Sequence, residues 1–176
     1  MSVVINKQNF QRIASANTAE YREGDWWINP IEPDCDRKYW KNDNGTLAEM
    51  TSAEKQQIDD AELIAAKIER KAEVQAELKE YIERAYSEDE QRDFLLLLWL
   101  ASEQENQDAK NYIYPLIAWV QNGQTLMREA KQRIEAAADA ESVEAAGYDY
   151  EAFYFWHQTM PGVTTQQAGE MLNGEN

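Results

Sequence analysis

The sequence predicts a mainly α chain of the α+β class, with a small antiparallel β region at its N-terminus. Three observations predict it. No Gly or Pro stands between Gly45 and Pro115, and such a stretch favours helices joined by tight turns. Two capping boxes, Thr51-Ser52-Ala53-Glu54 and Ser87-Glu88-Asp89-Glu90, fall inside it, each a Ser or Thr followed three residues later by a Glu that can reach back. At its start, short strand-like pieces flank Asn44-Gly45, a pair that supplies the positive φ angles of a tight hairpin.

The β region occupies 1–50 and holds three of the six tryptophans and two of the four prolines. Strand-like pieces are Val3-Val4-Ile5, Asp25-Trp26-Trp27-Ile28, Lys38-Tyr39-Trp40-Lys41 and Thr46-Leu47-Ala48-Glu49-Met50. The last two form a hairpin over 38–50, and Pro30 and Pro33 bracket the loop that leads to it.

A connecting helix is expected from 52 to about 86, within a segment 51–87, giving a rod of ~50 Å at 1.5 Å per residue. Its stripe runs Ile58, Ala61, Ala65, Ile68 and Ala72 in steps of three and four, then drifts to Val74, Leu78, Tyr81, Ile82 and Ala85. This is the pattern of a thin coiled coil. It serves either as a seam between copies or as a face for the chain's own helices.

The segment 88–140 reads as a helical hairpin. Its first helix contains Phe94-Leu95-Leu96-Leu97-Leu98-Trp99-Leu100, and seven adjacent apolar residues cover every face of a helix. Either neighbouring helices or another copy must cover it, which makes Phe94, Leu97 and Leu98 candidate interface residues. A turn is expected near Asn106, then a helix to about Asp139 that continues through Gly123, where another backbone comes close. Pro115 stands near its first turn or makes a kink. In the last segment, 141–176, Tyr148, Tyr150, Phe153, Tyr154, Phe155 and Trp156 crowd together. Tyr150, Phe153 and Trp156 join the candidate interface. Met160-Pro161-Gly162 has turn chemistry, and Thr164 or Thr165 caps a short helix over 166–172.

The formal charge of −16 opposes a nucleic-acid role, because phosphate backbones need clustered Lys and Arg. From Ile134 onward there are eight carboxylates and no Lys or Arg, a solvated surface or a docking surface for a basic partner. Cys35 is alone and lies between Asp34 and Asp36, a setting that disfavours thiolate. His157 is the single histidine and sits beside Phe155-Trp156, so a Ser or Cys nucleophile has no evident base and orienting partner. Asp34, Asp36, Asp43 and Asn44 lack the spacing of a calcium loop. Trp26, Trp27 and Trp40, with Tyr39, form either a sugar-stacking platform or the core of the β region. No apolar run approaches the ~20 residues a bilayer helix needs, and Met1–Lys7 holds no long apolar stretch. Synthesis in a cytoplasm without membrane insertion is therefore expected.

One segment is similar to a known module. Arg37-Lys38-Tyr39-Trp40-Lys41, a turn, Thr46-Leu47-Ala48-Glu49-Met50-Thr51, then Ala53-Glu54-Lys55 with Ile58-Asp59 resembles the YWK–turn–EMT–AEK arrangement of tailed-bacteriophage tail, fibre and baseplate-associated proteins. Gly24-Asp25-Trp26-Trp27-Ile28-Asn29-Pro30 fits the same context, and Pro161-Gly162-Val163-Thr164 with Ala168 is similar to a segment of phage tail-associated proteins. The resemblance spans about 24–59 and 160–168 and brings no catalytic residue, cofactor or metal with it. It implies a non-enzymatic virion adaptor, assembled in the host cytoplasm, whose partners are other phage structural proteins and further copies of itself. Two alternatives stand beside it: a tail-fibre assembly chaperone absent from the finished particle, and a receptor- or glycan-binding module.

Overall fold

The computed structural model describes residues 2–148, 153 and 162–174. They fall into two compact units, Met1–Ile64 and Ala65–Asn176. Mainly α with a small antiparallel β region is the fold observed.

In the first unit, β1 (Val3–Asn6), β2 (Arg12–Ala14) and β3 (Trp26–Ile28) form a sheet in the order β2-β1-β3. Both pairings are antiparallel, with Val4 opposite Ile13 and Ile5 opposite Trp27. The sequence predicts no strand at Arg12–Ala14. It arises because the Asn6 carboxamide accepts from the N–H groups of Gln8 and Asn9 and folds the chain back, with Phe10 at φ 54° completing the turn. A second sheet is the hairpin of β4 (Trp40–Asp43) and β5 (Thr46–Glu49), in register Trp40 to Glu49 and Asp43 to Thr46. Asn44 and Gly45 take φ values of 52° and 89°, the double positive φ of a type I′ turn. The strand expected from Lys38 begins only at Trp40. Asp36 accepts from the Lys38 N–H and winds Arg37–Tyr39 into a 3-10 turn.

The core of this unit is Ile5, Trp27, Trp40 and Leu47, with Val3, Phe10 and Cys35 packed against it. Its indoles are bonded as well as buried. Trp27 Nε1–H donates to the Gly45 carbonyl at 2.6 Å and Trp40 Nε1–H to the Cys35 carbonyl at 3.2 Å.

Helix α1 covers Ser52–Ala85 and starts where its capping box predicts. The Thr51 N–H donates to Glu54 Oε2 at 2.7 Å, and the Glu54 N–H donates to Thr51 Oγ1 at 3.3 Å. Its later turns belong to the second unit, where Val74, Leu78 and Ile82 are buried. The sequence division that sets 51–87 apart as a connector therefore differs from the observed units, which part within this helix.

The second unit continues with α2 (Glu88–Glu103), α3 (Gln107–Ala136), α4 (Ala140–Ala145) and α5 (Thr165–Asn173). Ser87 and Glu90 make the second capping box, Asn106 caps α3 and Thr164 caps α5. Helix α2 packs on both α3 and α5. The expected run of α3 to Asp139 is corrected: α3 stops at Ala136, because the Asp139 carboxylate accepts from the Ser142 N–H at 2.7 Å and starts α4. Pro115 lies within α3, beyond its first turn. The helix runs unbroken through Gly123, where an added Cβ would stand 2.5 Å from the Phe153 ring and 2.8 Å from Leu78. That ring stacks on Trp119 at 4.8 Å and 15°.

Candidate contact surface

The Ser87–Glu90 box fixes where α2 starts, and packing against α3 and α5 decides which of its seven apolar residues turn inward. Phe94 is 1 % exposed and meets Tyr86 edge to face at 5.6 Å. Leu97, Leu98 and Leu100 are half-buried. Leu95, Leu96 and Trp99 are 60, 54 and 57 % exposed. The reason is geometric: α3 and α5 cover two sides of α2, and a run that is apolar all round needs cover on every side. Phe94 is thus taken by the fold, and the side chains left for contact are its neighbours Leu95, Leu96 and Trp99.

The stripe on α1 divides in a similar way. Ile58 is half-buried, while Ala61, Ala65 and Ala72 are exposed. Ile68 is 64 % exposed, and Ile64, one turn before it, is 58 % exposed. The face that α1 turns into the second unit carries the later part of the stripe, Val74, Leu78 and Tyr81, together with Lys67 and Arg70. Ion pairs such as Lys71–Glu135, and the Lys67 ammonium on the Glu135 carbonyl at 2.8 Å, hold α1 to α3. Of the heptad-like residues predicted as a seam, Ala61, Ala65, Ile68 and Ala72 face outward, Ile58 is half-buried, and Val74, Leu78 and Ile82 belong to the core. Phe153 is fully buried, while Tyr150, Trp156 and His157 lie outside the described residues.

The aromatic platform is corrected by the packing. Trp27 and Trp40 are core side chains and offer no open face to a sugar. Trp26 and Tyr39 are half-exposed, Trp26 edge-on to Tyr21 at 4.9 Å.

The residues that carry the resemblance work together within the first unit. The Lys38 ammonium reaches Asp59 and Glu62, both at 2.8 Å, and the Tyr39 hydroxyl donates to Asp59 at 2.7 Å. Lys38 and Lys55 lie over the Tyr39 ring at 4.8 and 5.1 Å. Lys41 pairs with Glu54 at 2.7 Å and Lys55 pairs with Glu49. The electrostatics follow. Hydrogen bonding to Lys38, then to Tyr39, holds the Asp59 carboxyl below its usual range. The Glu54 carboxyl is lowered to about 2, first by Lys41 and then by the Thr51 N–H. Bonding to Asp59 and Glu62 raises the Lys38 ammonium. The contacts behind these shifts clamp the hairpin onto the start of α1.

Among the described residues no group of three His, Cys, Asp or Glu side chains converges on a metal-sized site. No helix among them is long and apolar enough to cross a membrane. Compared with known protein families, curated proteins and solved structures, the chain matches none.

Proposed function

We propose that this chain is a non-enzymatic structural adaptor of a tailed-phage particle, acting by protein contact in the tail, fibre or baseplate. One observation carries the contact reading: Leu95, Leu96 and Trp99 stand open on one helix, each more than half exposed. Single exposed hydrophobics are ordinary, but contiguous large ones mark interaction sites, and Trp is enriched where interfaces concentrate their energy. The outward heptad-like stripe of α1 supports a second contact, a seam between copies of the chain. Placement in a virion rests on the YWK–turn–EMT–AEK resemblance. The ion-pair clamp supports it by giving those residues a shared task, fixing a hairpin to a helix start. Assembly then takes place in the host cytoplasm, with other phage structural proteins as partners and no nucleic-acid or membrane contact.

Quantitative mass spectrometry of purified particles tests this reading. A fixed copy number per particle is the expected result. Presence in the infected lysate but absence from the particle replaces the adaptor with an assembly chaperone.

A further inference from the structure

Carboxylates outnumber cations along α2 and the turn that follows it. Between Glu88 and Asp108 stand seven carboxylates and a single cation, Arg92. Arg92 is already engaged with Asp89 at 2.9 Å. Glu88 holds Lys79 at 2.8 Å, and Glu90 is used in the capping box. Asp93, Glu103, Glu105 and Asp108 remain, all exposed. Apolar side chains open to solvent are thus bordered by carboxylates with little local compensation.

Beside them lies a hollow of about 320 Å³ between α2 and α3. Its walls include Phe94, Leu95, Leu116, Ile117 and Val120, with Gln91, Gln121 and Gln124 among them. A second hollow of about 300 Å³, against α1, shares Gln91 and Gln124 and adds Leu78, Ile82 and Met127. The two therefore abut at a pair of side-chain amides, which can both donate and accept hydrogen bonds.

Resting on the contact reading above, we infer that this face receives an amphipathic helix of a partner protein whose apolar side carries bulky anchors and whose flanks carry Lys and Arg. The apolar anchors enter the hollow and cover Leu95, Leu96 and Trp99, the mode by which helices dock in grooves. The cations meet Asp93, Glu103, Glu105 and Asp108, which steers the encounter and rejects acidic competitors. A second copy of the chain fits this face poorly, because it would bring the same seven carboxylates against themselves.

The probe is a dye-labelled synthetic helix of about 18 residues, roughly five turns, with Leu on one side and Lys on the other. Its binding to the full chain is followed by fluorescence anisotropy. A Leu–Glu helix of the same pattern and a scrambled Leu–Lys peptide are the comparisons. The Leu–Lys helix is expected to bind best and to weaken with added salt. Trp99→Ser and, separately, Leu96→Ser weaken it roughly tenfold or more, and both side chains are exposed enough for the fold to survive. Asp93→Asn with Glu103→Gln weakens it too, whereas Ile68→Ser on α1 leaves it unchanged. The inference is overturned if the scrambled peptide binds as tightly, or if neither Trp99→Ser nor Leu96→Ser alters binding. It is also overturned if Trp99→Ser dissociates an oligomer of the parent chain; a second copy would then own the face, and the contact reading would stand without the basic partner. If these variants change neither peptide binding nor oligomeric mass, both readings fall.

Discussion

Replacing Gly123 by Ala tests the packing of the second unit by its sign alone. In an open helix, Gly→Ala stabilises by ~1 kcal/mol, because Ala is the better helix former. Here the new Cβ would stand 2.5 Å from Phe153 and 2.8 Å from Leu78, against an ordinary carbon–carbon contact of ~3.5–4.0 Å. The Phe153 ring has little room to yield. It is stacked on Trp119 at 4.8 Å and tilted against Tyr81 at 4.9 Å. Overpacking of a filled core costs ~1–3 kcal/mol, and an approach this close belongs at the upper end. Less the helix gain, a net loss of about 2 kcal/mol remains. Urea unfolding followed by near-ultraviolet circular dichroism, to which stacked aromatics contribute, gives the value. In a double-mutant cycle, Phe153→Leu should shrink the cost of Gly123→Ala, since neighbours in contact are non-additive. A Gly123→Ala chain that is more stable than the parent by ~1 kcal/mol would refute the reasoning and remove Phe153 from that face of α3.

Three further outcomes follow from the same contacts. Phe94→Ala should cost ~3–5 kcal/mol as a buried aromatic, whereas Leu96→Ser should stay within ~0.5 kcal/mol, and chemical denaturation of the pair separates the two. Trp27→Phe, which keeps an aromatic but deletes the bond to the Gly45 carbonyl, should cost ~1–3 kcal/mol through an unmade hydrogen bond, seen as a lower melting temperature of the β region. The Glu54 carboxyl, lowered from 4.5 to about 2, contributes stability that is fully present above its unfolded value and lost as pH falls through its folded one. An acid titration of helix content should therefore show the gap between the parent and Glu54→Gln closing between pH 4.5 and about 2.

Much of the fold was legible because its signals are local. The capping boxes at Thr51 and Ser87, the Asn44-Gly45 turn, the turn near Asn106 and a threonine cap at 164 or 165 each act within three or four residues of chain, so residue type nearly determines geometry. Strand β2 was not legible. Arg12-Ile13-Ala14 carries no strong strand signal, and its place depends on side-chain bonds from Asn6. The break after α3 hid in an Ala-rich run, where only the Asp139 cap marks a restart. The contact surface was half legible. Seven apolar residues announced that α2 needs cover on all sides, but only the packing of α3 and α5 decides that Phe94 turns in while Leu95, Leu96 and Trp99 turn out. For α1 the heptad pattern is plain in the sequence. It could not say that the outward stripe is Ala61, Ala65 and Ile68 while Val74 and Leu78 face the core, because that depends on a drift between two periodic faces of one long helix.

Static light scattering at several concentrations, on the parent chain and on a chain carrying Ile64→Ser with Ile68→Ser, tests most directly whether the outward stripe of α1 is a seam between copies. The account predicts a parent mass that is a multiple of the single chain and rises toward it with concentration, and a variant that stays at the single-chain mass with its helix content intact. A parent that remains a single chain at every concentration, or a variant that keeps the full oligomer, would contradict it.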